Sequence, residues 1–216
     1  MQPFFLKIPC TRNPAYYCQE MNTNALHQEL LAQIARGHEP ALAKMYAVFS
    51  SRVFNTALGY LQDTSEAEEV TQDVFVKIFQ SAARFEGKSA ISTWIYRITV
   101  NQSLDRLAHR NRQKRFGNMI SLFRSESSEP PIDIPHFDHP GVVLEQKEKA
   151  RTLFKAIESL PEQQKTAFIL SFLEELPRQK VAEIMQVSLK AVESLLQRGK
   201  GNLRLRLEDF YEGRRF

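Results

Sequence analysis

Residues 92–115, STWIYRITVNQSLDRLAHRNRQKR, begin like a core helix and end like a polyelectrolyte. Trp94, Ile95 and Ile98 belong in a protein interior, whereas Arg110, Arg112, Lys114 and Arg115 call for solvent or an anion. Between the two halves lie Asn101, Gln102 and Ser103. Tyr96, Thr99, Ser103, Arg106 and Arg110 fall three and four apart, so they make one polar stripe that grows more basic along the helix. Trp94, Ile98 and Ala108 lie toward the other side. Just upstream, Phe85, Gly87 and Lys88 form a loop in which glycine lets the backbone turn. An aromatic, a glycine and a base beside a basic helix are the parts of a single-strand binder, a stacking surface plus a phosphate track. The same residues also suit a core tryptophan and phenylalanine with a solvated helix end, and composition alone leaves both readings open.

Working outward, helical periodicity dominates. Residues 1–24 carry Pro3, Pro9 and Pro14 without a sustained period and are expected to be a disordered tail, with Met21 as an alternative start. From Ala25 a helix runs to Gly37, a favourable residue just past a helix end, and Pro40 suits the first turn of the next helix. Leu42, Met45, Tyr46, Phe49, Val53, Ala57, Tyr60 and Leu61 then recur on one face. Ser65 and Glu68 are spaced as a capping box for a third helix with Val70, Val74, Phe75, Ile78 and Phe79 turned inward. Its opposite surface is acidic: Glu66, Glu69 and Asp73 align, with Gln72 beside them, and such a stripe either faces water or meets a partner. The fourth helix is the quoted one. Residues 25–115 thus form one all-α domain.

FGNMISLFRSESSEPPIDIPHFDHPG, residues 116–141, is acidic, rich in proline and free of periodicity, so it reads as a linker. Fully extended it spans about 85 Å, at roughly 3.3 Å per residue. From Val142 the helical period returns, broken at Pro161 and Pro177. Residues 142–216 form a second helical domain, and the fold class is all-α with two small domains on a flexible tether.

That second domain contains VAEIMQVSLKAVESLLQRGKGNLRLRL, starting at Val181, with the spacing of a helix-turn-helix. Ala182 supplies the small residue where two helices cross, Val187 plugs the turn, and Ser188 caps the second helix. Val192, Leu195 and Leu196 anchor it from below. Lys190, Ala191, Glu193, Ser194, Gln197 and Arg198 then point outward, where side chains reach phosphates and base edges in a major groove. An ordinary helical hairpin with a solvated charged face fits the same pattern. Gln186 stands where such turns usually carry glycine, which implies a different turn or some strain.

Bulk properties narrow the function. The chain has 216 residues, 43% hydrophobic and 25% charged, with a net charge of +4. That suits a soluble, cytoplasmic protein with real cores. Cys10 and Cys18 offer too few ligands for a zinc site and read as reduced thiols. His136, Asp138 and His139 lie in the linker, where ligands are not preorganised, so no metal or cofactor is expected. The eight glycines form no phosphate-binding loop or nucleophile elbow, and no paired carboxylates stand with a histidine or lysine. An enzyme is not expected. A stand-alone helix-turn-helix regulator remains the alternative, although no heptad seam for a dimer is present.

The order ALAKMYAVFSSRVFNTALGYLQDTSEAEEVTQDVFVKIFQ, RFEGKSAISTWIYRITVNQSLDRL, SLPEQQKTAF and then the helix-turn-helix resembles bacterial RNA polymerase sigma factors. It is most similar to the small extracytoplasmic-function (ECF) group, which has only the second and fourth sigma regions. The resemblance covers residues 29–115 and 145–207, and EEVTQDVF with STWIYRITVNQSLD is its most specific part. It implies a dissociable subunit that binds core RNA polymerase and directs promoter-specific initiation. Glu66, Glu69, Gln72 and Asp73 would meet the polymerase clamp. Phe85 and Lys88 would sit in the loop that captures a flipped base of the −10 element. Asn101 would read that element, with Arg97, Arg106 and Arg110 near phosphates. Ser188, Lys190, Ser194, Gln197 and Arg198 would serve the duplex −35 element. The linker would thread through the polymerase, and an anti-sigma factor is an expected partner.

Overall fold

The computed structural model describes residues 14–121 and 152–212, with side chains for residues 24–113 and 152–208. Regular structure among the described residues is helical throughout. Helix α1 spans Pro14–Ala35, α2 Glu39–Leu61, α3 Thr64–Ser81 and α4 Ile91–Ser121, with a 3-10 turn at Ala82–Arg84. Residues 152–158 form α5. Then come α6, Glu162–Phe168, continued by a π turn at Ile169–Leu173, α7, Arg178–Met185, and α8, Leu189–Glu212.

Helix α1 begins earlier than expected, at Pro14 rather than Ala25, and only residues 1–13 of the expected tail lie outside the described residues. Proline is tolerated in a first helical turn because its missing N–H has no partner there anyway. The helix ends as the sequence implies. Gly37 takes φ 82°, its N–H reaches Ile34 O (2.9 Å) and His38 N–H reaches Gln33 O (3.1 Å), which satisfies the terminal carbonyls. Asn24 ties α1 to α4, its Oδ1 accepting from Ile91 N–H (3.2 Å) in the first turn of α4.

Helix α2 buries Met45, Phe49, Val53, Ala57, Tyr60 and Leu61. It stops where Gln62 turns left-handed at φ 56°, with its side-chain amide donating to Gly59 O (2.8 Å). The cap of α3 is Asp63 rather than Ser65. Its carboxylate accepts from Glu66 N–H (2.8 Å), two residues upstream of the expected box, because an aspartate accepts more strongly than a serine hydroxyl. Ala67, Val70, Val74, Phe75 and Ile78 face the core, but Phe79 is 44% and Tyr46 47% exposed. Both stand at the edge of their apolar stripe, and Tyr46 lies against the Phe75 ring at 4.7 Å. Helix α4 continues to Ser121, so residues 116–121 of the expected linker are helical, and residues 122–151 lie outside the described residues.

In the C-terminal part, α6 packs on α8, with Asn202 Nδ2 donating to Gln164 Oε1 (2.9 Å). Ile157, Ala167, Ile169, Leu170, Val181 and Val192 are almost fully buried. Between Ile169 and Leu173 the helix widens: Glu174 N–H bonds Ile169 O (3.1 Å), five residues back.

The two parts share one apolar core, joined along a seam between α2 and α4 on one side and the π turn and α7 on the other. Gly59 makes the close approach possible. A Cβ there would stand 3.1 Å from Leu173 Cδ1 and 3.2 Å from Ile169 Cγ2. A glycine inside a helix costs about 1 kcal/mol relative to alanine, which tight backbone approach offsets. Polar bonds flank the contact: Tyr96 Oη donates to Glu174 Oε2 (2.9 Å), Arg97 Nη2 to Glu183 O (2.7 Å) and Arg110 Nη2 to Glu158 Oε1 (3.2 Å). The seam is incomplete. A half-open cleft of about 710 Å³ remains between α2, α3 and the π turn, lined by Tyr46, Phe54, Gln72, Phe154, Leu173 and Glu174.

Candidate nucleic-acid interface

Helix α4 has two unlike faces. On one, Trp94 tilts against Phe85 with ring centroids 5.1 Å apart, and both rings are partly exposed. Gly87, at φ 70°, turns the chain between them, and Lys88 pairs with Glu86 at the exposed tip. Two helical turns beyond Trp94, Asn101 is exposed on the same side, with partly buried Ile98 between them. Phe85, Trp94 and Asn101 therefore form a platform with an aromatic end and an amide end, suited to an unstacked base and its hydrogen-bonding edge.

The other face is turned inward. Tyr96, Thr99 and Ser103 are buried. The Thr99 hydroxyl donates to Ile95 O (2.9 Å) and that of Ser103 to Thr99 O (2.8 Å), so the helix satisfies its own polar groups. The stripe that suggested a phosphate track thus lies along the packing side, and its arginines serve the fold. Arg106 pairs with Glu69 and lies 3.7 Å from Glu66. Arg110 donates to Leu61 O (2.9 Å), at the carboxyl end of α2, and pairs with Glu66 and Glu158, each at 3.2 Å. Arg97 holds the Glu183 carbonyl in the last turn of α7, where a helix end carries partial negative charge. Three of the expected phosphate contacts are engaged within the protein, while Asn101 is exposed and Phe85 partly so. Periodicity placed the stripe on one face of α4 without identifying the face, since buried hydroxyls leave the same signature as exposed ones.

On α3, Glu69, Gln72 and Asp73 are exposed and Glu66 is half-buried beneath Arg106 and Arg110. The same outward side carries Val76, 54% exposed, and Phe79. Residues 69, 72 or 73, 76 and 79 recur at three and four, giving a stripe that is acidic at its start and apolar at its end. Sequence reading found the acidic part alone. The apolar part had a signal, a valine and a phenylalanine three apart on the polar side.

The helix-turn-helix of α7 and α8 is formed as expected. Gln186 adopts φ 57°, keeping the glycine-type turn with a side chain in place, and its N–H bonds Glu183 O (3.3 Å). Val187 N–H bonds Ala182 O (3.1 Å), and Ser188 Oγ accepts from Ala191 N–H (3.2 Å) to cap α8. Val192, Leu195 and Leu196 are buried, whereas Lys190, Ser194, Gln197 and Arg198 are exposed along one side of α8. Ser188 is exposed too, with its hydroxyl used by the cap. Glu193 lies 3.4 Å from Arg178 of α7, a surface pair that steadies the two helices.

Burial lowers the His27 imidazole on α1, and the other perturbed titrating groups gather at the seam. Burial raises the Glu174 carboxyl, opposed by the Tyr96 and Thr56 hydroxyls and by Arg52. Burial also raises the Tyr60 phenol and lowers the Lys165 ammonium. None lies on the exposed faces of α4 or α8. Among the described residues no cluster of three or more metal-ligating side chains occurs, and His136, Asp138 and His139 lie outside them. No helix among the described residues is long and apolar enough to cross a membrane.

Residues 45–113 match the family model for Sigma-70 region 2, and residues 150–203 that for Sigma-70 region 4. The RNA polymerase sigma-H factor of Pseudomonas aeruginosa is 26% identical over 180 residues, covering 83% of this chain and 93% of that protein. The ECF RNA polymerase sigma factor SigW of Bacillus subtilis is 24% identical over 183 residues, covering 83% of this chain and 95% of that one. Among solved structures, CnrH in complex with the cytosolic domain of CnrY superposes with TM-score 0.59 at 18% identity, over 84% of this chain and 97% of that one. The sigma factor RpoE from Bartonella quintana, in complex with the anti-sigma factor NepR, gives TM-score 0.57 at 17% identity, over 77% and 96%. With both sigma regions in order and the helical fold to match, the chain belongs to the ECF group of bacterial RNA polymerase sigma factors.

Proposed function

We propose that this sigma factor divides initiation among three surfaces. Residues 25–115 are the module that binds core polymerase and opens the −10 element, residues 142–216 hold the −35 duplex, and the linker between them passes into the polymerase. On α3, the stripe of Glu69, Gln72 and Asp73 docks on the polymerase, extended by Val76 and Phe79, while Glu66 holds Arg106 and Arg110 in place. Phe85 and Trp94 offer stacking to a base taken out of the duplex, and Asn101 reads an edge. Unstacking costs a few kcal/mol per step, which stacking worth about 1–3 kcal/mol per base offsets. Lys88, Arg97, Arg106 and Arg110 supply positive charge around the strand. Lys190, Ser194, Gln197 and Arg198 enter the major groove, with Ser188 at the start of the reading helix.

The observation that carries this reading is the pairing, on one chain, of a partly exposed aromatic pair beside exposed Asn101 of α4 with an outward polar row on α8. The protein acts in the cytoplasm, without enzymatic activity of its own, and an anti-sigma factor restrains it there. Reconstitution with sigma-free core polymerase on genomic promoter fragments tests the reading. Discrete run-off transcripts that need this protein are expected. Asn101→Ala is expected to reduce promoter opening by about tenfold or more while core binding stays within twofold. Equal loss of both would sink the division of roles.

A further inference from the structure

Two exposed side chains of α8 do not suit a surface that meets phosphates alone. Leu189, the first residue of the helix, is 43% exposed. Glu193 follows four residues later, its side chain 50% exposed. Residues four apart share a helix face and lie about 6 Å apart along the axis, so the two form one edge. It runs beside the exposed row of Lys190, Ser194 and Gln197. Arg178, the first residue of α7, donates from Nη1 to Glu193 Oε1 at 3.4 Å. One carboxylate oxygen is thereby engaged, and Oε2 is left as an acceptor.

In a helix-turn-helix the start of the second helix enters the major groove while the first crosses the backbone. Leu189 and Glu193 lie in the first two turns of α8 and so enter with Lys190. A carboxylate carried there is repelled by phosphates unless a base supplies a donor, and an exposed leucine gains only by meeting an apolar group. The bases differ in what they present. Cytosine shows its N4 amino donor without an acceptor, guanine and thymine show acceptors, and adenine shows an acceptor beside its donor. Thymine alone shows a methyl group. A carboxylate thus selects cytosine by attraction and rejects guanine and thymine by repulsion, while a leucine selects thymine.

We propose that Leu189 and Glu193 form a pyrimidine-reading edge of α8. Glu193 accepts from the N4 amino group of a cytosine, and Leu189 packs on the methyl of a thymine within about two base steps of it in the −35 element. This rests on the duplex-reading role of α8 proposed above and deepens it by naming the bases.

The test uses holoenzyme assembled from the full chain and core polymerase. Promoters mapped by run-off transcription supply the −35 sequence, and each position is replaced in turn, with binding read by competition. Wild type should lose about tenfold when the cytosine under Glu193 becomes thymine. It should lose about fourfold when the thymine under Leu189 becomes uracil, which lacks only the methyl. Glu193→Gln should move the first preference from cytosine to adenine, because an amide both donates and accepts and so matches adenine N6 and N7. Leu189→Ala should bind the thymine and uracil duplexes equally. Both side chains are exposed, so the variants should melt as wild type does.

A cytosine preference that survives Glu193→Gln would overturn the edge, as would discrimination between thymine and uracil retained by Leu189→Ala. Wild-type binding indifferent to every −35 substitution would instead remove the duplex-reading role of α8 itself. Sequence-dependent binding that neither variant alters would remove the edge alone.

Discussion

On α8 the polar residues stand clear of the protein, whereas on α4 the arginines are folded back onto it. Lys190, Gln197 and Arg198 face solvent from a helix whose other side is filled by Val192, Leu195 and Leu196. Arg97, Arg106 and Arg110 instead meet a helix end and three carboxylates. A duplex groove can be met by a surface already in its final form. In the proposed division of roles, a strand that exists only after melting would meet a surface whose charges are otherwise occupied, leaving the aromatic and amide platform to make the first contact. The contrast teaches that charge count locates neither site, because the number of basic residues on a helix does not say whom they serve.

The largest effect that would break this contrast is at Arg110. Removing its guanidinium leaves the half-buried Glu66 carboxylate and the Leu61 carbonyl short of a donor. Arg110→Ala should therefore cost ~2–3 kcal/mol, read as a lower urea midpoint. A change under ~0.5 kcal/mol would place Arg110 among ordinary surface ion pairs. On α8, Gln197→Ala and Arg198→Ala should leave the midpoint within ~0.5 kcal/mol and weaken −35 duplex binding by ~1–3 kcal/mol each. Loss of stability there, with binding intact, would reverse the assignment of the two faces.

These expectations differ because of what periodicity conveys. The helices, their order and the turn at Gln186 were legible in apolar spacing and in residues such as Gly37 and Ser188, whose chemistry is local. The outward polar row of α8 was legible as well, since the other side of that helix is plainly apolar. For α4 the spacing was right but its orientation was hidden: threonine and serine bond their own helix and pass unnoticed into a core. The seam was not legible at all. Gly59 looks like an incidental glycine inside a helix, and its role depends on Leu173, more than a hundred residues away.

A smaller effect concerns pH. Burial raises the Glu174 carboxyl above its unfolded value, so the folded state holds that proton more tightly. Its contribution is fully present below the unfolded pKa of about 4.5 and is lost as pH rises through the raised folded value. Glu174→Gln lacks this titration. Its urea midpoint should match wild type near the acid end of that window and exceed it progressively toward neutral pH. A constant difference across pH would mean that the carboxylate is solvated, with Arg52, Thr56 and Tyr96 no more than neighbours.

The smallest effect sharpens the turn. Gln186→Gly relieves a side chain held at φ 57° and should be stabilising or neutral, by ~0.5–1 kcal/mol at most, in thermal melts. Destabilisation instead would show that the glutamine side chain makes a contact worth more than the backbone relief.

The widened turn at Ile169–Leu173 sets a register as well as a diameter. An α-helix advances about 100° per residue, and the wide turn absorbs one extra residue, so winding the same sequence as ordinary α-helix would rotate everything after it by roughly that angle. Glu174 would leave Tyr96, and Leu173 would no longer lie beneath Gly59, with no change in composition at either surface. The widening acts as a phase marker, and the chain's ability to fold against itself depends on keeping it.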